Sequence, residues 1–500
     1  MDLNGLDALL LLGSAVLLAA ILAVRLSVVA GLPTLLVYLG LGLVLGDSVL
    51  GIEFSDAQLA QSLGFTALLL ILAEGGVTTK WSQVRPTIGL GLLLATVGVV
   101  ISVAVVAVAA HYLLDLPWQI AVLLAAVTSP TDAAAVFSVL RRVPLRPSVL
   151  GTLEVESGLN DAPIVVIVTA VSIGTATEHS VPVFALIVAG ELLLGGVVGF
   201  LVGRAGALIL RGVALPSSGL YPLAVLAFAV LGYGGAAVLH GSGFAAVYIA
   251  ALVLGNAELP HRVATRSFAE GVGWLAQIGL FVMLGLLASP GEVTMWQVLV
   301  AIVGGAILTF VARPLSVLVC AAVTRTPWRE QAFLSWAGLR GAVPIVLATI
   351  PLAEGVPGSG ELFNIVFVFV VVYTFVQAPS LPWIARTLSV TTDDARDVDV
   401  EAAPLERIAA DLLQISVPGT SRLVGVEVGE LRLPVGASVA LVVRGDESFT
   451  PHRTMRIRGD DDLLVVAPRR LRDETEARLR ALARHGRLAG WNDGTPPRRP

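Results

Sequence analysis

Glu156-Ser157-Gly158-Leu159-Asn160-Asp161-Ala162-Pro163 interrupts an otherwise apolar stretch, with VLGTLEV before it and IVVIVTAVSI after it. Two acids and an amide stand where a membrane span should hold apolar side chains. Ionisable groups are costly in hydrocarbon and mark function when they occur there. Two other apolar stretches carry the same anomaly, Thr128-Ser129-Pro130-Thr131-Asp132 and Gly338-Leu339-Arg340-Gly341. Carboxylates, a cation and two Pro/Gly-broken segments point to an ion-binding site inside a membrane transporter.

The composition supports a membrane setting. Of 500 residues, 56% are hydrophobic and 14% charged, against roughly 25% charged in a soluble domain. Charge is sparse up to about residue 385 and dense from Arg386 onward, which separates a membrane part from a soluble tail. A net charge of −5 offers no basic surface, so nucleic acid is excluded as a partner and membrane lipid is expected instead. Cys320 stands alone in an apolar run and reads as structural, and His111 and His240 lack metal-ligand spacing. No cofactor is expected. The acidic start, with Asp2 and Asp7, argues against a cleaved signal and for a first transmembrane helix.

A spanning helix needs about 20 mostly apolar residues. Thirteen stretches fit, starting near residues 7, 27, 58, 87, 118, 149, 181, 219, 242, 267, 295, 330 and 361. Connections after the odd spans hold Arg25; Lys80 and Arg85; Arg141, Arg142 and Arg146; Arg204 and Arg211; Arg262 and Arg266; Arg325 and Arg329; and Arg386. Those after the even spans hold Asp47, Glu53, Asp56, Asp115, Glu178, His240, Glu292 and Glu354, without Lys or Arg. The positive-inside rule places the N-terminus outside and the C-terminus in the cytoplasm of a cell-membrane protein. Pro130 interrupts span five, and Gly341 and Pro344 interrupt span twelve. Seven spans separate the two, so the equivalent helices run oppositely, as in inverted repeats with discontinuous helices crossing at mid-membrane.

At ~100° per residue, Glu156, Asn160, Ser157 and Asp161 fall within ~140° of one another and share a helix face. Glu154 falls ~160° from Glu156 and is read as facing elsewhere. Arg340, at mid-span, calls for a carboxylate partner, and Glu156 is the first choice. That pairing leaves Asp161 for a mobile ion. Asp132 reads equally as an ion ligand and as the N-cap of a second half-helix. Glu74, near the inner end of span three, reads as an interfacial acid or a site acid. Glu191, Glu270 and Arg313 read as packing or funnel residues. A partly desolvated carboxylate has a raised pKa, so a proton and a cation compete for it. Such competition at a site opened alternately to each side gives exchange. The alternative is a tail-gated cation channel, against which stands the lack of a filter motif such as TVGYG.

The blocks TSPTDAAAV (128–136), ESGLNDAPIVV (156–166) and GLRGAVPIVLA (338–348) together resemble the NhaP-type monovalent cation:proton antiporters. The resemblance implies an inverted-repeat, usually homodimeric antiporter. It implies that Asp161 carries proton or cation and that Asn160, Ser157, Thr131 and Asp132 belong to the site. A monovalent cation is then held at Asp161, Ser157 and Thr131. Glu156 and Arg340 match the family's structural ion pair, and Glu74 an acid near the inner cavity. The Asn-Asp pair resembles the electroneutral branch, and the proline of GLRGAVP resembles the potassium/proton branch more than the sodium one.

After the antiporter region, residues 1–388, an acidic linker is expected at 389–403. The β-like runs LLQISV, RLVGVEV, SVALVVR and LLVVAP follow, and then a helix. Residues 404–485 resemble a TrkA carboxy-terminal (RCK-C) domain, which implies a small regulatory ligand; no Gly-rich dinucleotide fingerprint precedes it, so no nucleotide-binding half is expected. Residues 486–500 read as a disordered tail. The expected fold is an all-α polytopic membrane protein of about thirteen transmembrane helices, with inverted repeats and two discontinuous crossing helices. A small α+β cytoplasmic domain completes it.

Overall fold

A computed structural model describes residues 3–30, 33–46, 50–52, 54–132, 135, 143, 145–177, 180–391, 399–405, 410–445 and 447–486. The chain forms two compact units, Met1–Thr391 and Thr392–Pro500. Several residues used for the charge alternation (Asp47, Glu53, Arg141, Arg142 and Glu178) lie outside the described residues, as do Asp2 and the tail from 487.

In the first unit, among the described residues, eight helices are long and apolar enough to cross a membrane. They are Ala57–Thr78, Trp81–Leu114, Pro147–Ser172, Pro182–Gly212, Leu220–Val238, Arg262–Leu287, Met295–Thr324 and Ser359–Thr387. Five shorter apolar helices are Leu10–Arg25, Thr34–Leu45, Trp118–Thr128, Gly243–Asn256 and Ala342–Ala353. The second span was expected to start near 27. Instead the first helix continues to Ala30, and the next begins at Thr34, after Pro33. Helix starts follow local chemistry. Asp56 accepts the Leu59 N–H at 2.9 Å, and Thr294 and Gln297 form a reciprocal capping box, each satisfying N–H groups that a helix start leaves free.

Close packing depends on small residues, as between helices in lipid. Where Thr34–Leu45 crosses Arg262–Leu287, a Cβ on Gly285 would strike the Leu39 carbonyl and come within 2.8 Å of the Gly42 Cα.

Three helices depart from regular geometry near the polar blocks. Pro163 has no N–H to give the Leu159 carbonyl, and Pro147–Leu159 gives way to Asp161–Ser172 at Asn160. Single-turn π segments occupy Leu94–Gly98 and Leu308–Ala312. The break of span twelve, expected at Gly341 and Pro344, falls at Gly341 and not at Pro344. The chain is irregular at 337–341, between Trp328–Trp336 and Ala342–Ala353. Pro344 sits in the first turn of the second piece, where its missing N–H costs nothing.

The second unit holds a five-stranded antiparallel sheet in the order β1-β2-β5-β3-β4. The strands are β1 Asp399–Leu405, β2 Ala410–Val417, β3 Ser438–Arg444, β4 Glu447–Phe449 and β5 Asp461–Pro468. Leu463, Val465 and Ala467 alternate inward along β5, the period-2 pattern of a half-buried strand. They pack with Leu413, Ile415 and Val417 of β2 and with Leu479, Leu482 and Ala483 of the helix Arg472–His485. Asp461, fully buried, takes a bidentate pair from Arg444 at 2.7 and 2.8 Å and the Arg458 N–H at 2.8 Å. Burial alone would raise this carboxyl, but these bonds outweigh it and hold it below its ordinary range. The sheet starts at Asp399, inside the stretch read as linker. β1 pairs along its whole length with β2, so acidic composition there marks an edge strand.

Candidate functional site

The two interrupted segments meet. The Asp132 N–H donates to the Leu339 carbonyl at 2.9 Å. Arg340 donates to the carbonyls of Thr128 (3.2 Å), Ser129 (3.5 Å) and Gly338. Thr128 ends its helix, so the guanidinium lies at the negative end of that helix dipole. The Arg340 carbonyl in turn accepts from Thr374 Oγ1 at 2.9 Å. Asp132 Oδ1 accepts the Ala135 N–H at 3.2 Å, the bond of a helix N-cap. Its other carboxylate oxygen lies where a Cβ on Gly341 would be. Gly341 is the N-cap of Ala342–Ala353, so only glycine admits the acid to that positive helix end.

The expected Glu156–Arg340 pair is not formed. Glu156 is bound by Arg313, through Nη1 to Oε1 and through Nη2 to Oε2 at 2.9 Å. Both side chains are buried, at 4% and 1% exposure. Arg313 also donates to the Leu334 carbonyl, from Nε at 3.3 Å and Nη2 at 3.2 Å. The physical reason is that Arg340 is satisfied by three carbonyls at the crossing, whereas Arg313 leaves the π segment facing Glu156. Arg313 was read as a packing or funnel residue, yet it too is an arginine in an apolar run, LTFVARPLSV. That anomaly is the one that singled out Arg340.

Next to Glu156 on the same helix, Ser157 Oγ lies 3.0 Å from Thr131 Oγ1. Asn160 Nδ2 donates to Thr131 Oγ1 at 2.9 Å and to its carbonyl at 3.3 Å. Thr131, Ser157, Asn160 and Asp161 are all buried. Asn160 Oδ1 and Asp161 Oδ1 have no hydrogen-bond partner among the described residues. Asp161 opens into a cavity of about 300 Å³ lined also by Thr131, Asp132, Ser157, Glu74, Glu154 and Glu270. Glu74, Asp132, Ser157 and Thr131 therefore share one chamber with Asp161, and Glu156 and Arg340 do not line it.

Glu154 was passed over because it lies ~160° from Glu156. The relevant comparison is with Asp161, seven residues on, which returns to within ~20°. That heptad relation puts both acids on the cavity face. Among the described residues no group of three or more His, Cys, Asp or Glu side chains is arranged to hold a metal ion.

The family model described as "Sodium/hydrogen exchanger, transmembrane" matches residues 13–387. The chain belongs to the sodium/hydrogen exchanger family. A TrkA-C domain model matches residues 412–480 of the exchanger. It is 34% identical over 458 residues to the K(+)/H(+) antiporter NhaP of Alkalimonas amylolytica, covering 90% of this chain and 79% of that one. It is 32% identical over 480 residues to the K(+)/H(+) antiporter NhaP2 of Shewanella oneidensis, covering 93% and 82%. The sodium proton antiporter MjNhaP1 from Methanocaldococcus jannaschii shares the fold, with a TM-score of 0.64 at 24% identity over 77% of this chain and 99% of that one. The exchanger is thus an all-α polytopic membrane protein with bent and discontinuous helices and a small β-rich C-terminal domain. It is a secondary cation:proton antiporter rather than an enzyme, and its TrkA-C domain is regulatory. The channel alternative is not favoured.

Proposed function

We propose that the exchanger trades potassium for protons and that Asp161 carries both. The supporting observation is the buried, unpartnered Asp161 Oδ1 at the cavity, beside the Thr131–Ser157 hydroxyls and Asn160. A neutral set of hydroxyl and amide oxygens around one carboxylate suits a monovalent cation. Asp132 and Glu74 add negative potential on the same chamber. If the carboxylate holds one proton on one leg and one monovalent cation on the other, each leg moves the same charge and exchange is electroneutral. Potassium is preferred over sodium because the two antiporters named above, each matched over nine-tenths or more of this chain, bear potassium names.

The proposal extends to the architecture. Thirteen segments cross the membrane as inverted repeats, with the N-terminus outside and the C-terminus in the cytoplasm. Two copies form a homodimer in the cell membrane. Residues 1–388 transport, and the unit from 404 to 485 senses a small ligand. The test is made in everted vesicles with a fluorescent pH probe. Potassium addition should release protons from vesicles carrying the native protein, with a smaller response to sodium, and Asp161→Asn should abolish both at normal membrane yield. Robust exchange by Asp161→Asn would overturn the assignment of the carrier.

A further inference from the structure

The cavity holds an acid that neither the ion pair nor the site around Asp161 uses. Glu154 lies on the same helix face as Asp161, two turns and ~10 Å away toward the start of Pro147–Leu159. It lines the same chamber, and its Oε2 is buried with no hydrogen-bond partner among the described residues. Tyr248 walls this stretch. Its ring closes on Gly158, where a Cβ would collide with it, and its hydroxyl donates to the Glu154 carbonyl at 3.4 Å. Lys80, the only lysine in the chain, is exposed just past the end of Ala57–Thr78 and directly follows Thr79, which lines the same chamber as Glu154. The other charged groups on the chamber are Glu74 on Ala57–Thr78, Glu270 on Arg262–Leu287, and Asp132.

We propose that Glu154 is a staging carboxylate for the transported cation, held at a set strength by Lys80. A cation moving through the chamber meets Glu154 before Asp161, and Lys80 weakens that encounter. This rests on the reading of Asp161 as the carrier and adds a second station to it. A second buried acid oxygen, unpartnered on the same cavity and the same helix face as Asp161, is what distinguishes Glu154 from an acid on the rim. Glu154 positions cation and does not replace Asp161.

Losing one negative charge ~10 Å from the carrier weakens cation attraction by roughly two- to fifteenfold between a watery and a protein-like dielectric. Glu154→Gln should raise the half-saturating potassium concentration of vesicle exchange by about that factor, with a smaller change in maximal rate. Glu154→Asp should restore most of the native value. Lys80→Gln, at an exposed position, should act in the opposite sense and lower the half-saturating concentration. An unchanged half-saturating concentration in Glu154→Gln, or a rise in Lys80→Gln, overturns the proposal. If Glu154→Gln fails to insert, the direction of the Lys80→Gln effect decides alone. Failure here, with Asp161→Asn still inactive, leaves the carrier assignment standing. An active Asp161→Asn would remove that assignment first.

Discussion

Replacing Arg313 with methionine keeps most of the side-chain volume and strands Glu156. The carboxylate is 1% exposed and has both oxygens committed to the Arg313 guanidinium. Removing one partner of such a buried pair costs about 3–5 kcal/mol, because the remaining charge has neither water nor counter-ion. The Leu334 carbonyl also loses both of its guanidinium donors, adding about 1 kcal/mol. Arg313→Met should therefore lower the folded yield in detergent and drop the apparent melting temperature by about 5 °C or more. The identity of the partner is read from the rescue. Glu156→Gln combined with Arg313→Met removes both charges, and a neutral replacement of a buried pair is often tolerated. The double variant should recover most of the lost stability, a coupling of about 2 kcal/mol or more. The same cycle between Glu156 and Arg340 should give less than half of that, because Arg340→Met strands backbone carbonyls that no change at Glu156 can satisfy. Equal rescue of both arginines, or a native melting temperature for Arg313→Met, would refute the pairing.

Gly341→Ala should insert but lose more than about tenfold of exchange in vesicles, since its Cβ meets the Asp132 carboxylate and a small displacement at a site is costly. Arg444→Ala should destabilise the C-terminal unit by about 1.5–3 kcal/mol at neutral pH, the scale of hydrogen bonds to a charged group. The sign follows from Asp461. Its lowered carboxyl stabilises the fold above the unfolded value of ~3.9 and ceases to as pH falls through the folded one, so the gap between variant and native should narrow as acid protonates Asp461 in the folded state. Truncation after Thr391 should leave cation preference intact and shift the ligand or pH dependence of exchange measured in vesicles. A cut after Leu388 is a different experiment, because buried Val390 is lost with its bond from the Arg146 N–H at 2.9 Å.

The polar blocks were legible because charge in an apolar run is rare, and the structure gathers Thr131, Ser157, Asn160 and Asp161 as their shared anomaly suggested. Their partners were less legible. Glu156 and Arg313 are 157 residues apart, and pairing by elimination chose Arg340 because backbone carbonyls do not show in a sequence. Glu154 is obscured in the sequence because it lies ~160° from its near neighbour Glu156, while the acid whose face it shares, Asp161, is two turns away. Gly341 and Pro344 together signalled the interruption of span twelve; Gly341 marks it, and the proline is one that the first turn of a helix accepts. β1 was hidden because its residues, Asp399–Leu405, lack an apolar alternation. An edge strand is specified by its neighbour, here β2, as much as by its own side chains.

The crossing explains why Arg340 needs no carboxylate. Each interrupted segment ends a helix at depth, and each lends its charged residue to the other segment's helix end. Arg340 sits on the carbonyls of Thr128 and Ser129, where one dipole is negative. Asp132 sits at Gly341, where the other is positive. Opposite charges placed this way stabilise both ends at once. They also tie the segments together, through the Asp132 N–H to the Leu339 carbonyl. A movement that separates the segments must then expose two helix ends and two charges together, so the crossing should shift as one body. Asp161 begins a helix on a third segment, and Thr131 is its link to the crossing, through Ser157 and Asn160. Those contacts are neutral hydrogen bonds, so this junction yields at less cost than the crossing.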